Sequence, residues 1–411
     1  MLKNRSVYMN GVAGMLVLMS VFLSNCNSND VDKDTTSVKP VVKTNTVKVY
    51  MHYMPWFQSK PVSGYWGSHW RMTNRNPEVI DADGKRQIAS HYYPLIGPYD
   101  SKDPDVIEYH LLLMKYAGVD GILIDWYGSH SNYDYRTNLV NSNAVIDKLD
   151  DVGLQFSVVY EEYTAGSIAD QSGRSAITIA QEDVTYLQSH YFNSKDYIHI
   201  DSNPLLLTFG PRYFKSPTQW DDIFKNVTVK PKFLPLWGHI GYVGISNGSG
   251  EYSWVDFTPA FSDLTNFYQK QNQIDLMIGS AYPRFHDYYK EGGVGESYGY
   301  VDFNNGQTLQ ATLDKAKNAN LDYLQLVTWN DFGEGTIIEP TLEDQFASLE
   351  IIQKFAGVIY GKSELELIYQ YYLTKVKYKN DTAAQEKLRQ VFNHLASLEV
   401  QAAADLLNEL P

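Results

Sequence analysis

The stretch Asp103–Tyr127, DPDVIEYHLLLMKYAGVDGILIDWY, carries the reading of the fold. Asp103 is suited to cap a helix and Pro104 to occupy its first position, where a missing N–H costs nothing. Ile107, Leu111 and Met114 recur at helical spacing, and Gly118 closes the helix. Gly121 to Asp125 follows as a short apolar run ending in a carboxylate. A helix feeding a strand that is apolar on both faces is one unit of a parallel sheet covered by helices.

The same alternation extends in both directions. Val47 to Tyr53 reads as the first strand and Gly121 to Asp125 as the second. A helix around Ala144 to Val152 leads to a third strand, Gln155 to Tyr160. Further strands are expected at Leu205 to Phe209, Phe233 to Trp237, Val255 to Thr258, Leu276 to Ser280 and Tyr323 to Thr328, with Leu309 to Ala319 the clearest helix between them. This rhythm predicts an α/β protein with a (β/α)8 TIM barrel over residues 47–360, although a doubly wound open sheet obeys the same pattern. Thr341-Leu342-Glu343-Asp344 resembles a capping box opening a helix to Phe355. Leu365 to Val376, Ala384 to Leu395 and Ser397 to Leu407 read as a small C-terminal helical appendage over 361–411.

Residues 1–25 have the features of a signal peptide. Lys3 and Arg5 precede an apolar stretch, Val12 to Leu23, that is short for a membrane span. It runs into Leu23-Ser24-Asn25-Cys26, and Cys26 is the single cysteine of the chain. This resembles the bacterial lipoprotein signal, which implies lipidation of Cys26, export and anchoring to the outer membrane, at the cell surface. Residues 26–46 are polar and aperiodic, as in a flexible tether. With 48 acidic against 34 basic side chains the net charge is -14, which disfavours nucleic acid or an anionic membrane face as partner. The expected membrane contact is the lipid alone, and the expected state is a monomer. Among 411 residues, 32 are Tyr, 8 Trp and 17 Phe, enough to fill a core and also to stack on sugar rings.

Barrel enzymes place their chemistry at the C-terminal ends of the strands. Here those ends carry Tyr53, Trp56 and Phe57, then Trp66, His69 and Trp70; Asp125, Trp126 and Tyr127; Glu161, Glu162 and Tyr163; Trp237 and His239; Tyr282 and Arg284; and Trp329, Asn330, Asp331, Glu334 and Glu339. Singly, each is as readily a cap, an ion-pair partner or core. Together, carboxylates ringed by aromatics are what glycosidic cleavage uses: an acid for the leaving oxygen, a carboxylate to activate the nucleophile, and flat apolar faces for sugars. The histidines show no metal-ligand spacing, so no metal or cofactor is expected.

These residues carry a resemblance. Tyr53-Met54-Pro55-Trp56-Phe57 with Trp66, His69 and Trp70, then Tyr93 to Asp100, Ala117 to Gly121 and Glu339-Pro340, are similar to glycoside hydrolase family 99. Thr328-Trp329-Asn330-Asp331-Phe332-Gly333-Glu334 is similar to the corresponding motif of family 71. Either resemblance implies a (β/α)8 barrel cleaving α-linked polysaccharide, of the α-mannan or α-1,3-glucan class. Family 99 implies a retaining reaction in which a carboxylate at the position of Thr328 helps the substrate's 2-hydroxyl attack, with the acid at Asp331. Family 71 implies an inverting reaction with Asp331 and Glu334 as the pair. Because Thr328 is not a carboxylate, the expectation is an inverting, endo-acting hydrolase with Asp331 as acid and Glu334 as its partner. Trp329 and Asp331 are expected on one face by the period of two. Substrate contacts are expected from Tyr53, Trp56, Trp66, His69, Trp70, Asp125, Trp126, Glu161, Glu162, Trp237, Tyr282, Arg284, Trp329, Asn330 and Glu339. Two alternatives remain open: a non-catalytic glycan-binding lipoprotein on a degenerate barrel, and a retaining enzyme in which Asp125, Glu161 or Glu162 replaces the missing base.

Overall fold

The computed structural model describes residues 37–410; the expected signal peptide, Cys26 and the first part of the tether lie outside them. Eight parallel strands form the sheet: β1 Lys48–Tyr53, β2 Gly121–Trp126, β3 Gln155–Tyr160, β4 Asn203–Thr208, β5 Lys232–Pro235, β6 Gly250–Tyr252, β7 Leu276–Ala281 and β8 Tyr323–Leu326. Their hydrogen-bonded order runs from β5 through β4, β3, β2, β1, β8 and β7 to β6. The two ends meet through parallel bridges, Phe233 to Gly248 and Leu236 to Tyr252, which close the barrel.

The side-chain period of two divides each strand between two cores. Tyr50, Leu123, Val159, Leu205, Leu207, Leu234 and Ile278 point into the barrel and fill it. Their neighbours Met51, Ile122, Ile124, Val158, Leu206 and Leu324 face outward, into the layer shared with the helices. Of these helices, α1 is Pro104–Tyr116, where Asp103 accepts the N–H of Asp105 as cap. Next is α2, Tyr135–Ile146. Its buried face is built partly from asparagines: the Asn138 carbonyl accepts the Tyr127 N–H and the Asn141 amide donates to the Pro55 carbonyl at 2.8 Å. That polar lining explains why apolar spacing placed this helix too late, at Ala144 to Val152.

Three further expectations move. The sixth strand lies at Gly250–Tyr252 rather than Val255 to Thr258, because Asp256 turns the chain by accepting the N–H groups of Thr258 and Leu264. Thr341 does accept the Asp344 N–H, but this shapes a turn, and the helix begins later as α3, Ala347–Ala356. Residues 37–46, expected in the tether, lie against the bottom of the barrel: Lys43 pairs with Asp120, and the Asn45 amide donates to the Phe355 carbonyl at 2.9 Å. The C-terminal helices α4 Lys362–Lys377, α5 Thr382–Ala396 and α6 Val400–Asn408 have a legible structural task. Of these, α4 covers the outer face of α1, where Glu108 accepts from Tyr371 at 2.7 Å and pairs with Lys375, and α5 and α6 pack with α4. An α1 buried on both sides is what its nearly continuous apolar sequence requires.

Candidate active site

The C-terminal mouth of the barrel holds a cavity of about 450 Å³ whose walls include Trp56, His69, Asp125, Glu161, Asp331 and Glu334. Strand register explains which expected residues reach it. Asp125 follows Leu123 by two and Glu161 follows Val159 by two, so both continue the inward-facing rows. Tyr53 and Trp126 belong to the outward rows, and they are buried against the helix layer instead.

Asp331 and Glu334 stand on a tight turn beyond β8. Asn330–Asp331 pairs antiparallel with Thr336–Ile337, so the strand period ends before the motif begins. Trp329 therefore does not share a face with Asp331; it is buried edge-on to His110. The Asp331 N–H donates to Thr328 Oγ1 at 2.8 Å, and that hydroxyl donates to the Thr336 carbonyl at 2.8 Å. Thr328 is thus fully buried inside the turn, and the carboxylates that face the cavity stand at 331 and 334. The Gly335 N–H closes the turn on the Asp331 carbonyl. Gly335 has φ +72°, and a Cβ there would meet the His286 carbonyl at 2.6 Å, so the position demands glycine.

The two carboxyl groups have unlike surroundings. Burial raises the Asp331 pKa to about 6, against the pull of the Glu334 N–H, which donates to Oδ1 at 2.9 Å, and of nearby His69. Burial and the charge of Asp331 raise Glu334 to about 8, while the Tyr289 hydroxyl, donating to Oε1 at 3.1 Å, opposes the shift. Glu334 is thus pushed the further up of the two, and the charge of Asp331 is part of the cause. Groups whose environments separate their pKa values in this way are suited to act as base and acid. His69 is set by stacking on Trp56, 4.2 Å between rings, and by Asp134 at 3.4 Å from Nε2.

Several expected substrate contacts are the frame of the site instead. The Asn330 side chain grips the Met54 backbone, accepting its N–H at 2.9 Å and donating to its carbonyl at 3.0 Å, which ties the turn to β1. Glu339 accepts the Tyr99 hydroxyl at 2.7 Å and lies 3.2 Å from His110 Nε2. The Tyr53 hydroxyl meets the other nitrogen of that histidine. Trp70 donates to the Tyr99 carbonyl and packs on Phe57; Trp66 donates to Glu78. Glu162 accepts the backbone N–H groups of Arg212 and Tyr213 and so shapes their loop. Tyr282 is locked to Asp256, and Trp237 packs edge-on against Phe267. The Arg284 guanidinium lies 4.2 Å from both the Tyr92 and Phe303 rings and pairs with Asp344.

The cavity also contains His52, Arg212, Trp254 and Tyr289, which the sequence reading did not select. His52 had a signal, since it follows inward-facing Tyr50 by two. Arg212 and Trp254 stand in loops beyond the strand ends, Tyr289 opens a short helix there, and none had a comparable one.

The raised pKa of Glu334 has a measurable cost. A carboxyl that binds its proton more tightly folded than unfolded contributes stability that is complete below the unfolded value, near 4.5, and lost as pH rises through about 8. Glu334→Gln removes that loss. It should stabilise the protein relative to the native chain by ~2 kcal/mol at pH 8, with the gain fading toward pH 4. Denaturant unfolding at both pH values checks this; a difference independent of pH contradicts it.

Comparison with known proteins agrees with this architecture. Residues 44–356 match the profile of glycosyl hydrolase family 99. A glycoprotein endo-alpha-1,2-mannosidase-like protein of Danio rerio is 22% identical over 330 residues, covering 71% of this chain and 70% of its own. The glycoprotein endo-alpha-1,2-mannosidase of Mus musculus is 21% identical, covering 73% and 69%. The solved structure of the GH99 endo-alpha-mannosidase from Bacteroides thetaiotaomicron shares the fold with a TM-score of 0.60 at 19% identity, over 76% of this chain and 98% of that one. With a family match across most of its length and a carboxylate-lined cavity at the mouth of the barrel, the chain belongs to glycosyl hydrolase family 99 and is a glycoside hydrolase.

Proposed function

We propose that the protein is an endo-acting hydrolase of α-mannosidic linkages, working with retention of configuration, with Glu334 as general acid and Asp331 as the carboxylate base. The observation that carries the reading is the turn on which Glu334 and Asp331 stand together in one cavity at the mouth of the barrel, with Glu334 pushed toward the protonated form further than Asp331. The mannosidic class and endo action follow the relatives, which are named endo-alpha-mannosidases. Membership of family 99 favours retention over the inverting course that the family 71 motif implied.

The chemistry follows from the two protonation states. Glu334 transfers its proton to the bridging oxygen as the C1–O bond breaks. Asp331 takes the proton of the 2-hydroxyl as that oxygen bonds to C1. Water then attacks C1 and opens the small ring, giving its proton to Glu334 while Asp331 returns a proton to the 2-oxygen. Two displacements at one carbon restore the starting configuration. No carboxylate is needed at position 328, because Asp331 fills the role; the non-catalytic alternative loses the observation that motivated it.

Asp331→Asn and Glu334→Gln should each lower kcat on α-mannan by roughly 10²–10⁴-fold, the range typical of lost acid–base catalysis. The activity of the native chain should fall below about pH 6, as Asp331 protonates, and above about pH 8, as Glu334 ionises. NMR of the first product should show the α-anomer. A β-anomer would remove retention, and cleavage of another α-glycan with none of mannan would remove the substrate class.

The same reading places the enzyme outside the cytoplasm on a lipid at Cys26, motivated by the motif Leu23-Ser24-Asn25-Cys26. Cys26→Ser should move the protein from the membrane fraction to the soluble one; unchanged fractionation contradicts the anchor.

A further inference from the structure

The cavity holds a second pair of carboxyl groups that the reaction above does not use. Asp125 and Glu161 close the adjacent strands β2 and β3, where Asp125 is in register with Val159 and the Glu161 N–H donates to the Trp126 carbonyl at 3.0 Å. Their side chains are within hydrogen-bonding reach of each other. Asp125 Oδ2 and Glu161 Oε2 are both buried without any donor from the protein. Carboxylate oxygens only accept, so two ionised groups here would leave both unsatisfied and repelling. One proton between them resolves both conditions.

Charge balance points the same way. Arg212 attracts Glu161, and its guanidinium is held over the Phe209 ring at 4.7 Å. One proton on the pair leaves a single negative charge opposite one guanidinium. Burial raises both carboxyls, Glu161 to about 8 against the pull of Arg212 and Asp125 well above the usual carboxylate range with Glu161 and Asp331 adding to the push, so Asp125 is the member that holds its proton the more tightly.

A third unpartnered group faces the same space. His52 Nδ1 lies 3.2 Å from Gln325 Oε1, and the Gln325 amide is already donating to the Ser253 carbonyl. Nδ1 therefore carries the hydrogen and Nε2 the lone pair. Burial lowers the His52 pKa to about 4, which keeps the ring neutral. Its Nε2 is buried with no protein partner, in a ring that lines the cavity edge-on to Trp254.

We propose that Asp125 keeps its proton and donates it to Glu161, so that the two side chains act as one singly charged acceptor unit. With His52 Nε2, this unit takes the hydroxyl hydrogens of one neutral hexose of the bound glycan, against the apolar wall of Trp254 and Phe209. Asp125 is then the positioning residue that sets the specificity of this subsite. A singly charged acceptor unit with one guanidinium opposite it suits a neutral sugar with free neighbouring hydroxyls and disfavours an acidic one, whose charge it would repel. The inference rests on the glycanase reading above.

Calorimetric titration of α-linked mannotetraose into the Glu334→Gln protein, which binds without turnover, tests it. Adding Asp125→Asn, whose amide can replace the donated proton, should change Kd by less than about threefold. Adding Asp125→Ala should weaken binding about tenfold or more, as expected when a hydrogen bond to a charged group is lost. Equal weakening by both variants would overturn the retained proton, and weakening by neither would overturn the subsite. Infrared spectra of the unliganded Glu334→Gln protein at pH 7 separate the two readings. A carboxylic C=O band should be present and lost in Asp125→Asn; its absence overturns the shared proton even if mannotetraose neither binds nor is cleaved, a result that would by itself reject only the mannan substrate.

Discussion

Four carboxyl groups, Asp125, Glu161, Asp331 and Glu334, line one cavity at the mouth of the barrel in which Arg212 is the guanidinium. Taking a carboxylate out of water is costly unless it is paired, and like charges so close oppose one another's ionisation. The protein meets this constraint by keeping protons where an exposed carboxyl would have lost them. A carboxyl held toward its protonated form, as Glu334 is, suits the general acid proposed above. A proton retained on Asp125 is proposed to convert a repelling pair into a recognition element. Both follow from burial, with local N–H, hydroxyl and guanidinium groups deciding which member of each pair ionises first.

Burial of this kind needs rigid walls, and the barrel supplies them. The inward rows of β2 and β3 deliver Asp125 and Glu161 without any special local structure. The catalytic turn is more elaborate: Thr328 and Gly335 close it from within, Asn330 fastens it to the backbone beside β1, and the loop after β7 pairs with it through the N–H groups of His286 and Tyr288. Glu339, Tyr99 and His110 form a buried hydrogen-bonded group behind it. The polar residues around this site thus divide between those that face substrate and those that hold the facing residues still.

That division marks where sequence reasoning succeeds. Strands β1 to β3 and β7 are legible because a strand buried on both faces is a continuous apolar run. The three-residue β6 is too short to show one, and α2 hides its buried face behind Asn138 and Asn141. Strand-end carboxylates were legible for the same reason that an acid closing an apolar run is conspicuous. Tyr53, Trp126 and Trp329 were misplaced because composition marks an aromatic without saying which way it points; for the first two the period of two answers that once register is known. Arg212 and Tyr289 reach the cavity from a loop and a short helix beyond the strand ends, by tertiary closure that no local pattern encodes.

The most direct test of the central claim is a crystal structure of the Glu334→Gln protein with α-linked mannotetraose. The account predicts one bridging oxygen within hydrogen-bonding distance of the side chain at position 334, and an Asp331 oxygen against the 2-hydroxyl of the sugar whose bond is to be cut. A glycan bound with its bridging oxygens away from position 334, or with Asp331 facing only a water beyond the anomeric carbon, would contradict it.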